Sequence, residues 1–480
     1  MNTNSPLLTD LYQISMAAAY WKSGKASQEA VFHLFFRSLP FHGGYAVAAG
    51  LQSVVEWLEG FHFSADDIDF LRSLRDAEDR PLLEEGFLNY LSEMKLSVLI
   101  DAMPEGTIIF PHQPILRVSG PIIECQLLET ALLNIINFQT LIATKAARIC
   151  EAARGEPVME FGLRRAQAPG GALSASRAAY IGGCSSTSNV LAGKIFGIPV
   201  RGTHAHSWVM SFNTELEAFA QYAAALPGNC TFLVDTYDTL QGVRHACEIG
   251  KQLKARGHRL QGIRLDSGDL AWLSQEARKI LDAEGFADAA IVASNDLDEY
   301  LIESLKHQGA KITVWGVGTK LVTGGDQAAL GGVYKLAAVR DDSGKWIPRI
   351  KLSEQMIKVS TPGLQQVRRF FQAGKMIGDA IYDAERDCPM PCCIHSHSEA
   401  MQQKTFPADA TSADLLEPII RNGQLVYQLP TLSECRTHAI EQRAMLDATI
   451  KRLDHPHAYP NGLEQQLYAK KWQLLQQLRP

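Results

Sequence analysis

No segment of the chain is apolar for long enough, and free enough of charge, to read as a membrane span. The most apolar long stretch, from Pro121 to Ala153, is interrupted by Glu124, Glu129, Asn134, Asn137, Lys145 and Arg148, a pattern that suits a buried helix. The opening Met-Asn-Thr-Asn-Ser-Pro has no positive region leading into an apolar core, so no secretory signal is expected. Basic charge is not in excess either. The 46 Lys and Arg face 52 Asp and Glu, a formal net charge of −6 that gives no reason to expect a nucleic-acid partner. Any anion site has to be local, made by a few placed arginines and backbone N–H groups. Nine cysteines, an odd number scattered over 480 residues, do not form a disulfide framework, and a reducing cytoplasm is the expected home. Internal repeats and low-complexity segments are also missing. What is there is ordinary globular composition, 46% hydrophobic and 20% charged, in a chain long enough for two or three domains.

The middle of the chain has a rhythm. Short apolar strand candidates stand at Val158–Phe161, Ile198–Val200, Thr231–Val234, Gly262–Leu265, Ala290–Ala293 and Ile312–Trp315, most of them followed by a helical pattern. After Arg264–Gly268, apolar residues recur at helical spacing through Leu270, Leu273, Ala277, Ile280 and Leu281, and Gly285 offers a stop. Strands alternating with helices imply parallel pairing, because a parallel connection needs a crossover. A β/α barrel-like domain is expected first and an open doubly wound sheet second. The flanks read as antiparallel. Ala30–Phe36 is a strand, Thr107–Val118 a hairpin around Pro111-His112-Gln113-Pro114, Gly332–Leu352 a pair turning at Asp341–Gly344, and Ile419–Leu429 a hairpin at Asn422-Gly423. The tail Ser433–Arg479 reads as mostly helical and amphipathic. The expected architecture is α/β: an irregular β/α barrel over residues 140–335, inserted in a split α/β domain with antiparallel strands, built from residues 1–130 and 340–480.

Parallel strands bind ligands at their C-terminal ends, where the loops converge. Here those ends deliver Glu160 to Arg165, Gly202 to Trp208, Asp235 to Asp238, Arg264 with Asp266 to Asp269, Ser294 to Asp296, and Gly316 to Thr319. Arginine forks bind phosphate oxygens in pairs, and glycine-rich turns let backbone N–H groups approach a phosphate. Asp235, Asp238, Asp266 and Asp269 are candidates to hold Mg²⁺ or accept from ribose hydroxyls. The set reads as a pocket for a sugar phosphate with a metal-bound polyphosphate. Asp269 or Asp296 taken alone reads as a helix N-cap, whereas Arg264 and Asp266 together read as a site. For the pair His204 and His206, a zinc site, a backbone-satisfied strand-end histidine and an acid–base or nucleophilic group stay open. Cys388, Cys392, Cys393, His395 and His397 have zinc-ligand types at compact spacing, but the prolines between the cysteines equally suit a plain extended loop, which is the reading kept.

Several strings, in this order along the chain, resemble nicotinate phosphoribosyltransferases. They are Thr9–Gln13 (TDLYQ), Phe41–Val47 (FHGGYAV), Glu160–Gln167 (EFGLRRAQ), Ser185–Asn189 (SSTSN), Gly202–Trp208 (GTHAHSW), Arg264–Asp269 (RLDSGD) and His455–Tyr459 (HPHAY). The resemblance implies a type II phosphoribosyltransferase fold working as a cytoplasmic homodimer with shared active sites. It implies that nicotinate and phosphoribosyl pyrophosphate give nicotinate mononucleotide and pyrophosphate, the first step of NAD synthesis from nicotinate, with Mg²⁺ and with ATP as co-substrate. By position in the family's G-T-x-A-H string, His206 would be the residue that becomes phosphohistidine. His206, Arg264 and Asp266 form the expected catalytic set, and Asp235 and Asp266 the expected Mg²⁺ ligands. Phe161 and, across the dimer interface, Tyr12 would sandwich the pyridine ring, with Asp10 beside Tyr12 and Arg164 near the ligand's charged groups. Ser294, Asn295, Gly316, Gly318 and Thr319 would cradle the 5′-phosphate. Ser188, where nicotinamide-using relatives place an aspartate, would favour the acid over the amide. Gly170 departs from the family's Pro-Asp-Gly turn and is expected to loosen the loop after Arg164. The competing expectations are a nicotinamide or quinolinate phosphoribosyltransferase of the same fold, a non-catalytic nucleotide-binding relative, and a zinc-stabilised module at Cys388–His397.

Overall fold

A computed structural model describes residues 5–355, 358–397 and 402–478. The opening Met1–Asn4, on which the secretory-signal expectation partly rests, and the last two residues lie outside them. The chain divides into two compact units, one made of the residues up to Leu141 with those from Ala329 on, the other of Ile142–Ala328. The folding of both is mixed α/β, as the sequence implied.

The inserted unit is built on a six-stranded parallel sheet. Its strands are β1 (Val158–Glu160), β2 (Ser186–Thr187), β3 (Thr231–Leu233), β4 (Gly262–Leu265), β5 (Ala290–Ala293) and β6 (Val314–Val317), in the order β2-β1-β6-β5-β4-β3. Helices Ala168–Gly182, Thr239–Ala255, Leu270–Ala283 and Glu299–His307 make crossovers between them. Phe232, Ile263, Leu265, Ile291, Ala293, Trp315 and Val317 are almost wholly buried, so the strands read as continuous apolar runs, as strands covered on both faces do. One expected strand is corrected. Ile198–Val200 forms only a single bridge, Val200 to Thr187, and the ladder position goes to the two-residue β2, too short and too polar to register as an apolar run. The last strand also lies two residues later than Ile312–Trp315.

The split unit carries a seven-stranded and a six-stranded sheet. Gly332–Arg340 pairs with Trp346–Pro348 across the turn at Asp341–Gly344, and Glu417–Arg421 pairs with Gln424–Leu425. In that second turn Asn422 and Gly423 take φ 51° and 73°, the left-handed pair a two-residue hairpin requires. The hairpin expected over Thr107–Val118 does not form. Ile108–Ile109 pairs with Ala46–Val47, while Leu116–Pro121 pairs with Glu29–Phe36 and Leu99–Ala102. The segment between has two prolines without N–H groups, and the donors it keeps at His112 and Ile115 go to Phe36 and Leu34 carbonyls. The tail holds helices Leu432–Met445 and Gln465–Leu478 but also strand Asn461–Glu464, parallel to Lys375–Asp383. Arg369 and Asp379, both fully buried, make a bidentate ion pair at 2.7 and 2.9 Å, and Gln113 and Tyr459 also donate to that carboxylate at 2.6 and 2.8 Å. Among the described residues no helix is long and apolar enough to cross a membrane.

Candidate active site

The end of β1 is organised by one carboxylate. Glu160 is almost fully buried, and it accepts from the N–H of Gly162, from Ser176 Oγ at 2.8 Å and from Thr187 Oγ1 at 2.5 Å. Those bonds fix the turn that presents Phe161 and Arg164 and hold β2 alongside, and Ser188 N–H donates to the Glu160 carbonyl at 2.9 Å. Phe161 N–H in turn donates to the Val317 carbonyl. A Cβ on Gly316 would stand 2.7 Å from the Phe161 ring, so the glycine on β6 is what lets the ring lie there.

Arg264 on β4 is the hub. Its Nε donates to Ser294 Oγ at 2.8 Å, one terminal nitrogen to Thr203 Oγ1 at 3.0 Å, and the other to Asp266 Oδ1 at 2.8 Å. Its guanidinium carbon lies 5.6 Å from the Phe161 ring centroid, within cation–π range. Ser294 Oγ also donates to Asp266. Asp235, at the end of β3, takes the Asp266 N–H at 2.8 Å and Ser267 Oγ at 2.6 Å on Oδ2. Its Oδ1 is buried with no hydrogen-bond partner among the described residues. His206 begins helix His206–Met210. Its Nδ1 lies 3.1 Å from Thr236 Oγ1, and its Nε2 faces Asp235 Oδ1 at 3.9 Å and Asp266 Oδ2 at 3.8 Å. Two carboxylates and an imidazole thus converge on one point, with the orphaned Asp235 oxygen aimed among them. A Mg²⁺ held by one or two carboxylates and completed by ligand phosphates fits this donor set.

A cavity of about 500 Å³ opens over these groups and is lined by Phe161, Arg164, Ser188, Thr203, His204, His206, Arg264 and Asp266 among others. Sequence reading of the strand ends had named most of them. It missed the hydroxyls of Thr203, Thr236 and Ser267, which stand inside the strings quoted but were passed over for their charged neighbours. It missed the role of Glu160 as well. Asp238 and Asp269 are not in the cluster. Each caps a helix, accepting from Gln241 N–H at 2.8 Å and Trp272 N–H at 3.0 Å. The cap expected at Asp296 belongs to Asp298. Asn295, with φ 91°, and Thr319, which opens helix Thr319–Val322 after Gly318, stand at the ends of β5 and β6. Gly170 and Gly171 lie in the first turn of helix Ala168–Gly182 and not in a free loop, because the helix starts straight after Gln167.

His204 is buried among Phe219, Tyr222 and Phe232, and its Nε2 accepts the Leu233 N–H at 3.3 Å. Burial pushes its pKa down to about 4, and the nearby charges of Arg264 and His206 act the same way. Asp10 and Tyr12 belong to the other unit, at the start of helix Leu11–Lys22. Thr130 Oγ1 donates to Asp10 at 3.0 Å, and Tyr12 is half exposed, its pKa raised by burial and then by Glu129 and Asp10. The zinc-like string runs through strand Cys392–His395, with Cys388 before it and His397 after it. Cys388 and Cys392 meet at 3.5 Å in the core, His395 stacks on Tyr468 and His397 stacks on His112. Among the described residues no group of three or more His, Cys, Asp or Glu is arranged to hold a metal by itself.

Three family descriptions match successive parts of the chain: the nicotinate phosphoribosyltransferase N-terminal domain over residues 7–137, the nicotinate phosphoribosyltransferase family over 157–357, and the nicotinate phosphoribosyltransferase C-terminal domain over 364–471. The nicotinate phosphoribosyltransferase of Bacillus subtilis is 45% identical, covering 98% of this chain and 96% of its own. That of Homo sapiens is 36% identical, with 97% and 95% covered. The crystal structure of human nicotinic acid phosphoribosyltransferase superposes with a TM-score of 0.83 over 97% of this chain and 99% of its own, at 33% identity.

Proposed function

Because the chain belongs to the nicotinate phosphoribosyltransferase family, we propose that the cavity over β1, β3 and β4 is where nicotinate meets phosphoribosyl pyrophosphate. The enzyme joins the two into nicotinate mononucleotide and pyrophosphate. The observation that carries the site assignment is the Arg264 hub, a three-way guanidinium tied to Ser294, Thr203 and Asp266 beside the Phe161 ring. A flat heterocycle lies against Phe161, and its carboxylate is drawn to Arg164. Ser188 adds no charge to repel that carboxylate, which supports the acid over the amide. The ring nitrogen attacks ribose C1 while the C1–O bond to pyrophosphate breaks, and its lone pair becomes the new C–N bond. The ring nitrogen carries no proton to remove, so the protein's work is positioning and electrostatics.

Mg²⁺, held by Asp235 Oδ1 and Asp266, would neutralise the pyrophosphate as it leaves. Ser294, Asn295, Gly316, Gly318 and Thr319 offer the cradle for the 5′-phosphate. ATP is the co-substrate whose γ-phosphoryl group passes to the His206 imidazole as ADP leaves, and hydrolysis of that phosphohistidine releases phosphate. The accessible imidazole of His206, 39% exposed and oriented by Thr236, suits transient phosphorylation. Tyr12 completes the ring sandwich from a second copy in a homodimer. In support, Leu11, Tyr12 and Met16 expose an apolar face on helix Leu11–Lys22, and Val190, Leu191 and Ile195 another on helix Val190–Phe196. Free cysteines throughout support a cytoplasmic setting.

The test is incubation with competing nicotinate, nicotinamide and quinolinate, plus phosphoribosyl pyrophosphate, Mg²⁺ and ATP, with product identification. Nicotinate mononucleotide should dominate. In the same assay His206→Ala should lose ATP stimulation while keeping slow ATP-independent turnover. Full ATP coupling in that variant would refute the role given to His206.

A further inference from the structure

We propose that His204 is a positioning residue whose imidazole closes the parallel sheet into a barrel and thereby fixes where His206 stands. The sheet order leaves β2 and β3 as its two edges. Edge strands present N–H and C=O groups that the sheet itself does not pair. At the β2 edge, residues 199–201 supply the missing ladder: Thr187 N–H donates to the Pro199 carbonyl and Arg201 N–H to the Thr187 carbonyl, both at 3.0 Å. At the β3 edge no backbone strand arrives among the described residues. Three residues further along the same segment, His204 Nε2 accepts the Leu233 N–H at 3.3 Å. One short segment therefore spans the gap, by backbone on one side and by a side chain on the other.

The ring cannot drift from that donor. Centroids of Tyr222, Phe219 and Phe232 stand 5.0, 5.8 and 6.1 Å away and enclose it. Accepting at Nε2 places the ring's one proton on Nδ1, so the neutral imidazole is the form that works. An aliphatic side chain would fill the space but leave Leu233 N–H without an acceptor. The consequence reaches the chemistry because β3 runs on directly into Asp235 and Thr236, the two residues that flank His206. His204 thus pins the loop to the very strand against which His206 has to register. The second tie, Thr203 to Arg264, acts on the other side of the same loop.

Three variants separate this from simple packing. His204→Leu keeps bulk and loses the acceptor. In His204→Gln the amide reaches the position of Nε2, whereas in His204→Asn it stops near that of Nδ1. The loss of one buried hydrogen bond is worth about tenfold in the step that depends on it. The KM for phosphoribosyl pyrophosphate is expected to rise about tenfold in the Leu and Asn variants, with kcat within about threefold, and to recover to within about threefold of wild type in the Gln variant. ATP stimulation should follow the same order, and this second arm alone rests on the phosphohistidine reading of His206. The KM is read without ATP as well, so a wild type lacking ATP stimulation would count against that reading and leave the KM arm to decide. Equal kinetics in the Leu and Gln variants, whatever their melting temperatures, would overturn the proposal, as would a wild-type KM in the Leu variant.

Discussion

Replacing Glu160 by Gln tests the idea that one buried carboxylate organises the first strand end. The side chain keeps its size, so no cavity opens, but three donors from Gly162, Ser176 and Thr187 now meet a neutral amide. Hydrogen bonds to a charged acceptor are about twice as strong as neutral ones, and each net contribution falls by about 1 kcal/mol. The sum is about 3 kcal/mol. One end of the amide is moreover an NH₂ group, which cannot accept from Gly162 N–H on one side and forces the Ser176 and Thr187 hydroxyls to turn on the other. In a unit of this size each kcal/mol moves the melting temperature by about 2–4 °C, so a fall of about 6–12 °C is expected. Function should suffer more than global stability, because the turn held by Gly162 carries Phe161 and Arg164, and Ser188 hangs from the Glu160 carbonyl. Differential scanning calorimetry and steady-state kinetics on the same preparation read both. A melting shift under about 2 °C with kcat/KM within about twofold of wild type would refute the reasoning.

Arg264→Lys should lower kcat/KM by about a hundredfold, since one ammonium cannot hold Ser294, Thr203 and Asp266 at once and about two charge-assisted bonds are lost; steady-state kinetics decide, and a change under about threefold would sink it. Acid should destabilise the fold through His112, whose pKa is pushed down to about 4 by burial, with Lys471 and Arg37 acting the same way. Its unfolded counterpart protonates near pH 6.5, so stability from this group is level above about 6.5, falls by about 3 kcal/mol as the pH drops towards about 4, and levels off below. Urea midpoints at pH 7.5 and pH 5 should show a shallower fall in His112→Asn, a residue that accepts the φ of 67° found there, and an equal fall in both proteins would contradict the assignment.

Much of the inserted unit was legible because its strands are apolar runs that stop at charged residues. Gly262–Leu265 and Ala290–Ala293 form at the boundaries the sequence implied. β2 was not legible, since two residues carry no periodicity and only the neighbouring β1 makes them a strand. The failed hairpin at Thr107–Val118 has a related cause. Its alternation is real, but both halves find better partners far away in sequence, and local pattern cannot rank distant pairings. In the site, charged residues announced themselves and hydroxyls did not. Thr203 serves Arg264 across 61 positions, and Thr236 serves His206 across 30, a distance at which nothing in a single sequence marks a threonine as a partner.

The pattern of satisfied and unsatisfied groups carries the last step. Every nitrogen of Arg264 has a partner, and Asp235 Oδ2 has two donors. Little of the site must therefore reorganise when ligand arrives, which is the condition under which fixed dipoles lower a barrier. Among the described residues Asp235 Oδ1 and His204 Nδ1 are buried with no hydrogen-bond partner, and His206 Nε2 stands nearly 4 Å from both carboxylates. A buried carboxylate oxygen left unpaired costs stability, and a fold pays that cost where a cation or a reacting group is to fill the place. The metal-bound pyrophosphate is accordingly expected at that gap, between the two aspartates and the imidazole, while the bonds of Arg264 serve to hold the gap open.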